Sequence, residues 1–545
     1  MLLSLERKSL KNTVLWQQAG IEIFTFHDEE MIAETTKRPQ WIHFGPGNIF
    51  RAFIASLQQT LLNKGKVNTG IIAVAPYDNE VIENIYRPHD NLSLLVTMNV
   101  DDSIEKQVIG SISESLVCHS KYADDWARLK VVMQEPSLQI ASFTITEKGY
   151  KIKDFSGVYS QDVQYDVQHG LKAPKSFMGR IAALLYLRYQ TGQYPLALLS
   201  LDNCSNNGQK LKDALIDIVK LWISNGFVEK GFYDYLNCHE KVAFPCSMID
   251  KITPRPSVKV KNLLEESGFK STEFLCTKRN SYYAPFVNAE KTEYLVIEDD
   301  FPNGRMPLEE AGVIFTDLET VDKVEKMKVC TCLNPLHTAL AIFGCLLGYT
   351  LISDEMKNPL LRKLVEQIGY VEGMPVVINP GVLEPEKFMK EVIEVRFPNP
   401  NILDTPQRIA SDTSQKIGIR FGETIKAYVQ NKELDASCLN YIPLVIAGWC
   451  RYLIGLDDRG KQFVLSPDPL LTQLQDQLKE VEFGQPKSLK EQLKPILSNQ
   501  ELFGSDLYQV GLGVKIENYV KEMLNGVGAV EQTLEKYVHK NNLEK

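Results

Sequence analysis

The sequence lacks any CxxC pair, any excess of positive charge and any internal repeat or low-complexity tract. Its ten cysteines lie scattered through 545 residues, which argues against a disulfide framework. Cys330-Thr331-Cys332 is followed by no second pair at zinc-finger spacing, so no metal is expected. With 60 Lys and Arg against 69 Asp and Glu, the formal charge is -9. That is the wrong sign for a surface that neutralises phosphates, and no nucleic-acid partner is expected. No stretch approaches the apolar length needed to cross a bilayer. The first residues, MLLSLERKSLKNTVLW, bring in charge too early for a secretory segment. These absences leave a reduced, cytoplasmic protein without a membrane partner.

A chain this long exceeds one ordinary core, and 44% hydrophobic with 24% charged residues is a globular composition. Up to about residue 318, apolar strand-like runs alternate with amphipathic helical patterns. PQWIHFG, GIIAVAPYD, LQIASFTIT and PLALLSLDN read as strands, and DDWARLKVVMQ, SFMGRIAALLYLRY and NNGQKLKDALIDIVKLWI as helices. LSLLVTMNV and EKQVIGSIS read as paired strands, residues 151–175 as a polar loop insertion, FPCSMIDKITPRP as a turn and YLVIEDDFPNG as a last strand. From 319 to 545 only helical patterns remain, ending in the solvated helix end EKYVHKNNLEK. The expected fold is therefore α/β: a Rossmann-like doubly wound sheet over 1–318, followed by an all-α domain over 319–545.

Within the first domain, Gly45-Pro46-Gly47-Asn48-Ile49-Phe50-Arg51 stands between a strand and the helical run FIASLQQTLLNKG. Strand, glycine turn and helix in that order form the phosphate cradle of a dinucleotide-binding unit. Gly45 would permit the tight turn and Gly47 would admit the pyrophosphate at the helix N-terminus. Phe50 stands where the third glycine of the fingerprint belongs. Asp78 closes the next strand, where an acid would meet the ribose hydroxyls and disfavour a 2′-phosphate, hence NAD over NADP. Glu147-Lys148-Gly149 and Asp202-Asn203 fall at two more strand ends, the edge at which such sheets bind ligands.

The stretch VEKMKVCTCLNPLHTAL (324–340) sets Lys328, Asn334 and His337 in an apolar run. Burial disfavours an ammonium, which can make a lysine a base near neutral pH. Asn334 and His337, three apart, share a helix face and could donate hydrogen bonds to an oxygen gaining negative charge. The competing reading is that Asn334 caps a helix beginning at Pro335, with His337 a core residue.

Five segments in order resemble the long-chain polyol-specific (mannitol) dehydrogenase family. HFGPGNIFRAF is similar to its nucleotide turn, SLDNCSNNG to its S-x-D-N-x-x-x-N-G, and FPCSMIDKITP to its F-P-N-S-M-V-D-R-I-T-P. VIEDDFPNGRMPLEEAGV resembles the segment before its reactive lysine, and NPNILDTPQRIASDTSQKI its substrate segment. The resemblance implies metal-independent, NAD-linked interconversion of a secondary alcohol and a ketone in a polyol or sugar acid. Gly45, Gly47, Asn48, Phe50, Arg51, Asp78 and Glu147 would hold the cofactor. Lys328 would be the base, Asn203, Asn334 and His337 would hold the reacting oxygen, Glu325 would pass the proton on, and Asp250 would orient substrate or base. Arg408, Lys416 and Lys148 would bind substrate, with Lys251 standing where arginine is usual. The branch acting on fructuronate and D-mannonate is favoured, with mannitol/fructose and tagaturonate/altronate open. A monomer or small homo-oligomer is expected. Rivals are a zinc alcohol dehydrogenase and a non-catalytic nucleotide sensor.

One departure carries a structural expectation. The family pattern is Lys-x4-Asn-x2-His, whereas five residues separate Lys328 from Asn334. On a straight helix Lys328 would point about 120° away from Asn334. The spacing predicts a π-bulge or kink just before Pro335, with Lys326 the fallback base.

Overall fold

A computed structural model describes residues 3–101, 103–154 and 156–538. Two compact units emerge, the first comprising Met1–Asn99 and Ser103–Asp322, the second built on Lys323–Lys545.

The first unit is organised by a six-stranded sheet. Its strands are β1 (Trp41–Phe44), β2 (Ile71–Ala75), β5 (Ile112–Val117), β6 (Ile140–Phe143), β7 (Leu196–Ser200) and β8 (Val242–Ala243), all parallel and in the order 5-2-1-6-7-8. Runs such as IIAVA and LALLS are buried along their whole length rather than alternately. That pattern suits parallel strands covered on both faces. Helices Ala123–Gln134, Phe177–Gly192 and Asn207–Ser224 contribute to one apolar layer, with Leu129, Leu185, Leu215 and Trp222. Helix Ala55–Asn63 contributes Leu57 and Leu61 to the other. The connection reverses direction at β1, between β2 and β6, so a crevice opens beyond the carboxyl ends of these strands.

Three smaller strand groups complete the unit. β3 (Ser93–Met98) and β4 (Ile104–Ile109) form the expected hairpin, joined by β12 (Phe286–Glu290). Two expectations need correction. FPCSMIDKITPRP is not merely a turn: Ser247–Asp250 is strand β9, pairing antiparallel with β13 (Tyr294–Glu298). Nor is β13 the last strand, because Ile314–Thr316 (β14) pairs with it in parallel. Short lengths hide both, and prolines flank β9. The 151–175 insertion contains a helix, Gln161–His169, whose buried Asp166 accepts from the backbone of Lys175 and Ser176. A short hairpin, β10 (Leu275–Cys276) with β11 (Tyr282–Tyr283), completes the strand inventory.

The second unit is helical throughout its described residues. Helix Asn334–Leu347 is its hub, with Leu336, Leu340, Phe343 and Leu346 buried among helices Pro359–Glu366, Pro406–Ile409 and Tyr441–Tyr452. The helical run Leu318–Leu347 is, contrary to the sequence-based expectation, long and apolar enough to cross a bilayer. Most of it is buried inside the fold, as a core helix would be. Of the C-terminal stretch EKYVHKNNLEK, helix Ala529–Val538 covers the first part and residues 539–545 lie outside the described ones.

Glu372 illustrates how the helices interlock. It lies in a π-helical turn, Gln367–Gly373, and accepts from the backbone N–H groups of Asn440, Tyr441 and Ile442 at 2.5, 2.8 and 2.7 Å. It thus caps the helix Tyr441–Tyr452 with a charge favoured at a helix N-terminus. Burial outweighs these bonds and pushes its carboxyl up to about 6 from 4.5. A raised acid contributes stability that is complete below its unfolded value and lost as pH rises through the folded one. From pH 4.5 to above 6 the loss from this group is about 2 kcal/mol. The thermal midpoint of the wild type should fall across that window more steeply than that of Glu372→Gln, which scanning calorimetry at matched pH would check.

Candidate active site

At the carboxyl ends of β1 and β2 a cleft of about 400 Å³ is lined by Gly45, Gly47, Tyr77, Asp78, Thr146, Lys148, Gly149, Arg279 and Tyr283, among others. The glycine turn shapes one wall. Gly45 has φ +112°, and a Cβ there would stand 2.1 Å from the Thr144 carbonyl oxygen, so glycine is demanded by the protein itself. Gly47 is different: its nearest neighbour would be the Gly45 oxygen at 4.0 Å. The chain leaves room there, and a bound pyrophosphate would use it. The opposite wall is fixed by Asp202, buried at the end of β7. Its carboxylate accepts from Ile145 N at 3.0 Å, Thr146 N at 2.7 Å and the Tyr150 hydroxyl. Thr146 takes φ +63°, and these bonds hold that turn in place. Arg279, from the loop between β10 and β11, lies over the Tyr77 ring at 4.6 Å, beside Asp78. Asp78 is thus in the cleft, where a ribose would require it.

The second unit carries the other group of chemistry-bearing residues. Helix Leu318–Lys326 gives way to a π-helical segment, Met327–Cys332, and α geometry resumes at Asn334 after Leu333 departs to φ -131°. The wide turn absorbs the extra residue between Lys328 and Asn334. Cys330 O, displaced from the α ladder, accepts from Thr424 Oγ1 at 3.3 Å. Lys328 is buried, 2% exposed. The helix begins at Asn334 itself with Leu333 in the N-cap position, so Asn334 is not the cap that the competing reading requires.

His337 donates from Nε2 to Asp404 Oδ2 at 3.0 Å, and Asp404 Oδ1 accepts from Arg408 Nε at 2.9 Å. Burial, opposed by the Asp404 bond, leaves the His337 imidazolium less favoured than usual. Asp404 sits below its ordinary value, since the bonds from His337 and Arg408 outweigh burial. The pair is therefore a neutral imidazole and a carboxylate. A neutral imidazole whose Nε2 proton goes to Asp404 has only a lone pair left on Nδ1. Around it, Arg420 Nη1 donates to Thr338 Oγ1 at 2.6 Å and Lys416 Nζ to Ser411 O at 2.8 Å. Arg420 and Arg408 both act electrostatically on Lys416 and His337. Arg408 and Arg420 thus lie near His337, and both lie near Lys416.

Comparison with known proteins follows the same division. Residues 39–310 match the mannitol dehydrogenase Rossmann domain and 320–524 the mannitol dehydrogenase C-terminal domain. This chain belongs to the mannitol dehydrogenase family. A D-mannonate oxidoreductase of Thermotoga maritima is 52% identical over 98% of this chain and 99% of that protein. A mannitol 2-dehydrogenase of Aspergillus fumigatus is 30% identical over 91% and 93%. The structure of Pseudomonas fluorescens mannitol 2-dehydrogenase in ternary complex with NAD and D-mannitol superposes with TM-score 0.71 at 26% identity, covering 98% of this chain and all of that one. The chain is a dehydrogenase.

Against this mannitol dehydrogenase framework, several residue assignments need revision. Phe50 is buried and stacks on His43 with ring centroids 4.2 Å apart, so it supports the glycine turn from beneath. Arg51 is also buried, donating to Ala284 O at 2.6 Å and to Asn48 Oδ1 at 2.7 Å. Asn48 and Arg51 therefore tie the turn to neighbouring backbone and are not among the cleft-lining residues. Glu147 turns outward to Lys210 Nζ at 2.9 Å. Lys148, expected to bind substrate, lines the cleft together with the glycine turn. Lys251 pairs with Glu293 and lies 5.4 Å from the Phe53 ring centroid, which removes it as a free cation. Lys326, the fallback base, is exposed and lines a separate cavity with Cys330 and Glu423. His337, expected to hold the reacting oxygen, has its Nε2 engaged by Asp404 at 3.0 Å. Asn203 stands exposed in the turn after β7, Asp250 is buried at the end of β9, and Glu325 is half-buried one turn before Lys328. Sequence reasoning missed Tyr77, Arg279 and Tyr283, which come together only in the fold, and gave no role to Asp404.

The cleft supplies a direct test. Gly47→Ala should leave folding intact, since its Cβ would meet nothing nearer than the Gly45 oxygen at 4.0 Å, yet raise KM for NADH by about 10-fold or more, a loss of at least 1.4 kcal/mol of binding. Unchanged KM would show that no cofactor passes Gly47.

Proposed function

We propose that this chain interconverts D-fructuronate and D-mannonate with NAD as cofactor, in the cytoplasm. The carrying observation is the clustering of Arg408 and Arg420 with Lys416, both arginines acting on His337, because a sugar acid brings a carboxylate that a polyol lacks. The 52% identity to a D-mannonate oxidoreductase supports the same reading. Gly45, Gly47, Asp78, Thr146 and Lys148 would hold NAD, whose nicotinamide supplies the hydride exchange. Lys328 removes the hydroxyl proton in oxidation and returns it in reduction, and Glu325 passes that proton toward water. The side-chain amides of Asn334 and Asn203 donate to the oxygen as its charge grows, which lowers the barrier because the interaction strengthens in the transition state. His337 Nδ1 accepts from a neighbouring substrate hydroxyl, and Asp250 orients the substrate or the lysine.

NADH oxidation measured against D-fructuronate, D-tagaturonate and D-fructose tests this. Fructuronate should give the highest kcat/KM. Preference for fructose would place the chain with the mannitol 2-dehydrogenases, and preference for tagaturonate would reassign the acid.

A further inference from the structure

Arg420 lies in the π-helical turn Gly418–Gly422, and its Nη1 donates to the Thr338 hydroxyl at 2.6 Å. That hydroxyl in turn donates to Asn334 O at 2.8 Å, on the same helical turn as His337. The guanidinium is therefore anchored at one nitrogen beside two residues of the reactive segment. Its neighbours are balanced differently. Arg408 is matched by Asp404, and Lys416 has Asp412 within 3.7 Å. Among the described residues no carboxylate lies within ion-pair distance of Arg420, and the Thr338 hydroxyl is its one hydrogen-bond partner. A partly buried guanidinium without an acid is costly to keep, unless an anion arrives from outside. Four N–H donors in a planar fork remain, a geometry that fits a carboxylate in bidentate fashion.

We infer that Arg420 is the residue that binds the substrate's carboxylate and so selects a sugar acid over its neutral ketose. Thr338 acts here as the positioning residue, fixing one edge of the guanidinium so that the other faces substrate. The inference rests on the sugar-acid reading above, and its test separates the two.

The measurement is kcat/KM for D-fructuronate and for D-fructose, with NADH saturating, in wild type, Arg420→Gln and Arg420→Lys. Losing a charged hydrogen-bond pair should lower the fructuronate-to-fructose ratio by about 10- to 100-fold in Arg420→Gln, chiefly through KM for fructuronate. Arg420→Lys keeps the charge without the fork and should fall between. An unchanged ratio in both variants, or equal losses on both substrates, overturns the assignment, because a purely structural arginine would affect the substrates alike. If Arg420→Gln does not fold, the ratio in Arg420→Lys decides on the same criterion. A wild type that reduces fructose and ignores fructuronate would instead defeat the sugar-acid reading itself, whatever the variants do.

Discussion

Lys328→Ala should lower kcat for fructuronate reduction by about 10²- to 10⁴-fold, the range contributed by a positioned proton donor or acceptor, while KM for NADH stays within about two-fold. The reason is geometric. Lys328 is buried on the π-helical segment that realigns the helix ahead of Asn334, so this amine is carried by a backbone feature that an ordinary core helix has no need of. The cleft proposed for NADH lies at the glycine turn of the first unit, which the substitution leaves alone. Stopped-flow measurement of the hydride step, with NADH fluorescence to follow binding, separates the two. Deleting one residue between Lys328 and Asn334 would restore family spacing, and that variant should show the same collapse, because the neighbouring contacts have been built around the wide turn.

Asp404→Asn should cost about 10²-fold in kcat/KM, of the order expected when a reacting group is misplaced or wrongly protonated. The carboxylate does two things at once. It takes the Nε2 proton of His337, leaving Nδ1 as acceptor, and it neutralises Arg408. An asparagine can turn its NH₂ toward Nε2 and drive the proton to Nδ1, which converts an acceptor into a donor facing the substrate. Because burial keeps the imidazolium disfavoured, wild-type activity should lose less to His337 protonation as pH falls from 8 to 6.5 than an unburied imidazole would cause. Removing Asp404 removes the one group that raises the histidine through both a hydrogen bond and its charge. Its protonation should therefore move still further down, and NMR titration of the imidazole would report this. A variant with wild-type kcat/KM and an unmoved titration would show that the pair is merely structural.

Much of the first unit was legible because its strands are apolar throughout and separated by glycine turns. IIAVA and LALLS can hardly be anything but covered parallel strands, and Asp78 and Asp202-Asn203 follow from where such strands end. The residues under the turn were misread for a physical reason. Phe50 and Arg51 occupy motif positions, but a motif does not say which side of the backbone a side chain takes, and both point into the core. β9 and β14 are too short to announce themselves, and prolines close to β9 mask it further.

In the second unit the altered spacing at Lys328 gave the one π-helical segment that could be anticipated, since five residues where four are usual demand a local widening. The others, including Gln367–Gly373 and Gly418–Gly422, carry no comparable mark. Asp404 and Arg420 escaped notice because their meaning lies in partners at distant sequence positions. His337 is 67 residues before Asp404 and Thr338 is 82 before Arg420. Linear pattern offers no handle on such pairs.

The reaction proposed for this chain is hydride delivery to the carbonyl carbon of a ketose acid. With NADH deuterated at the transferable position and D-fructuronate as substrate, NMR of the product should show D-mannonate bearing one deuterium on the former carbonyl carbon. Recovery of unreduced fructuronate with the label still on the nicotinamide, under conditions where fructose or tagaturonate is reduced or where nothing is, would contradict it.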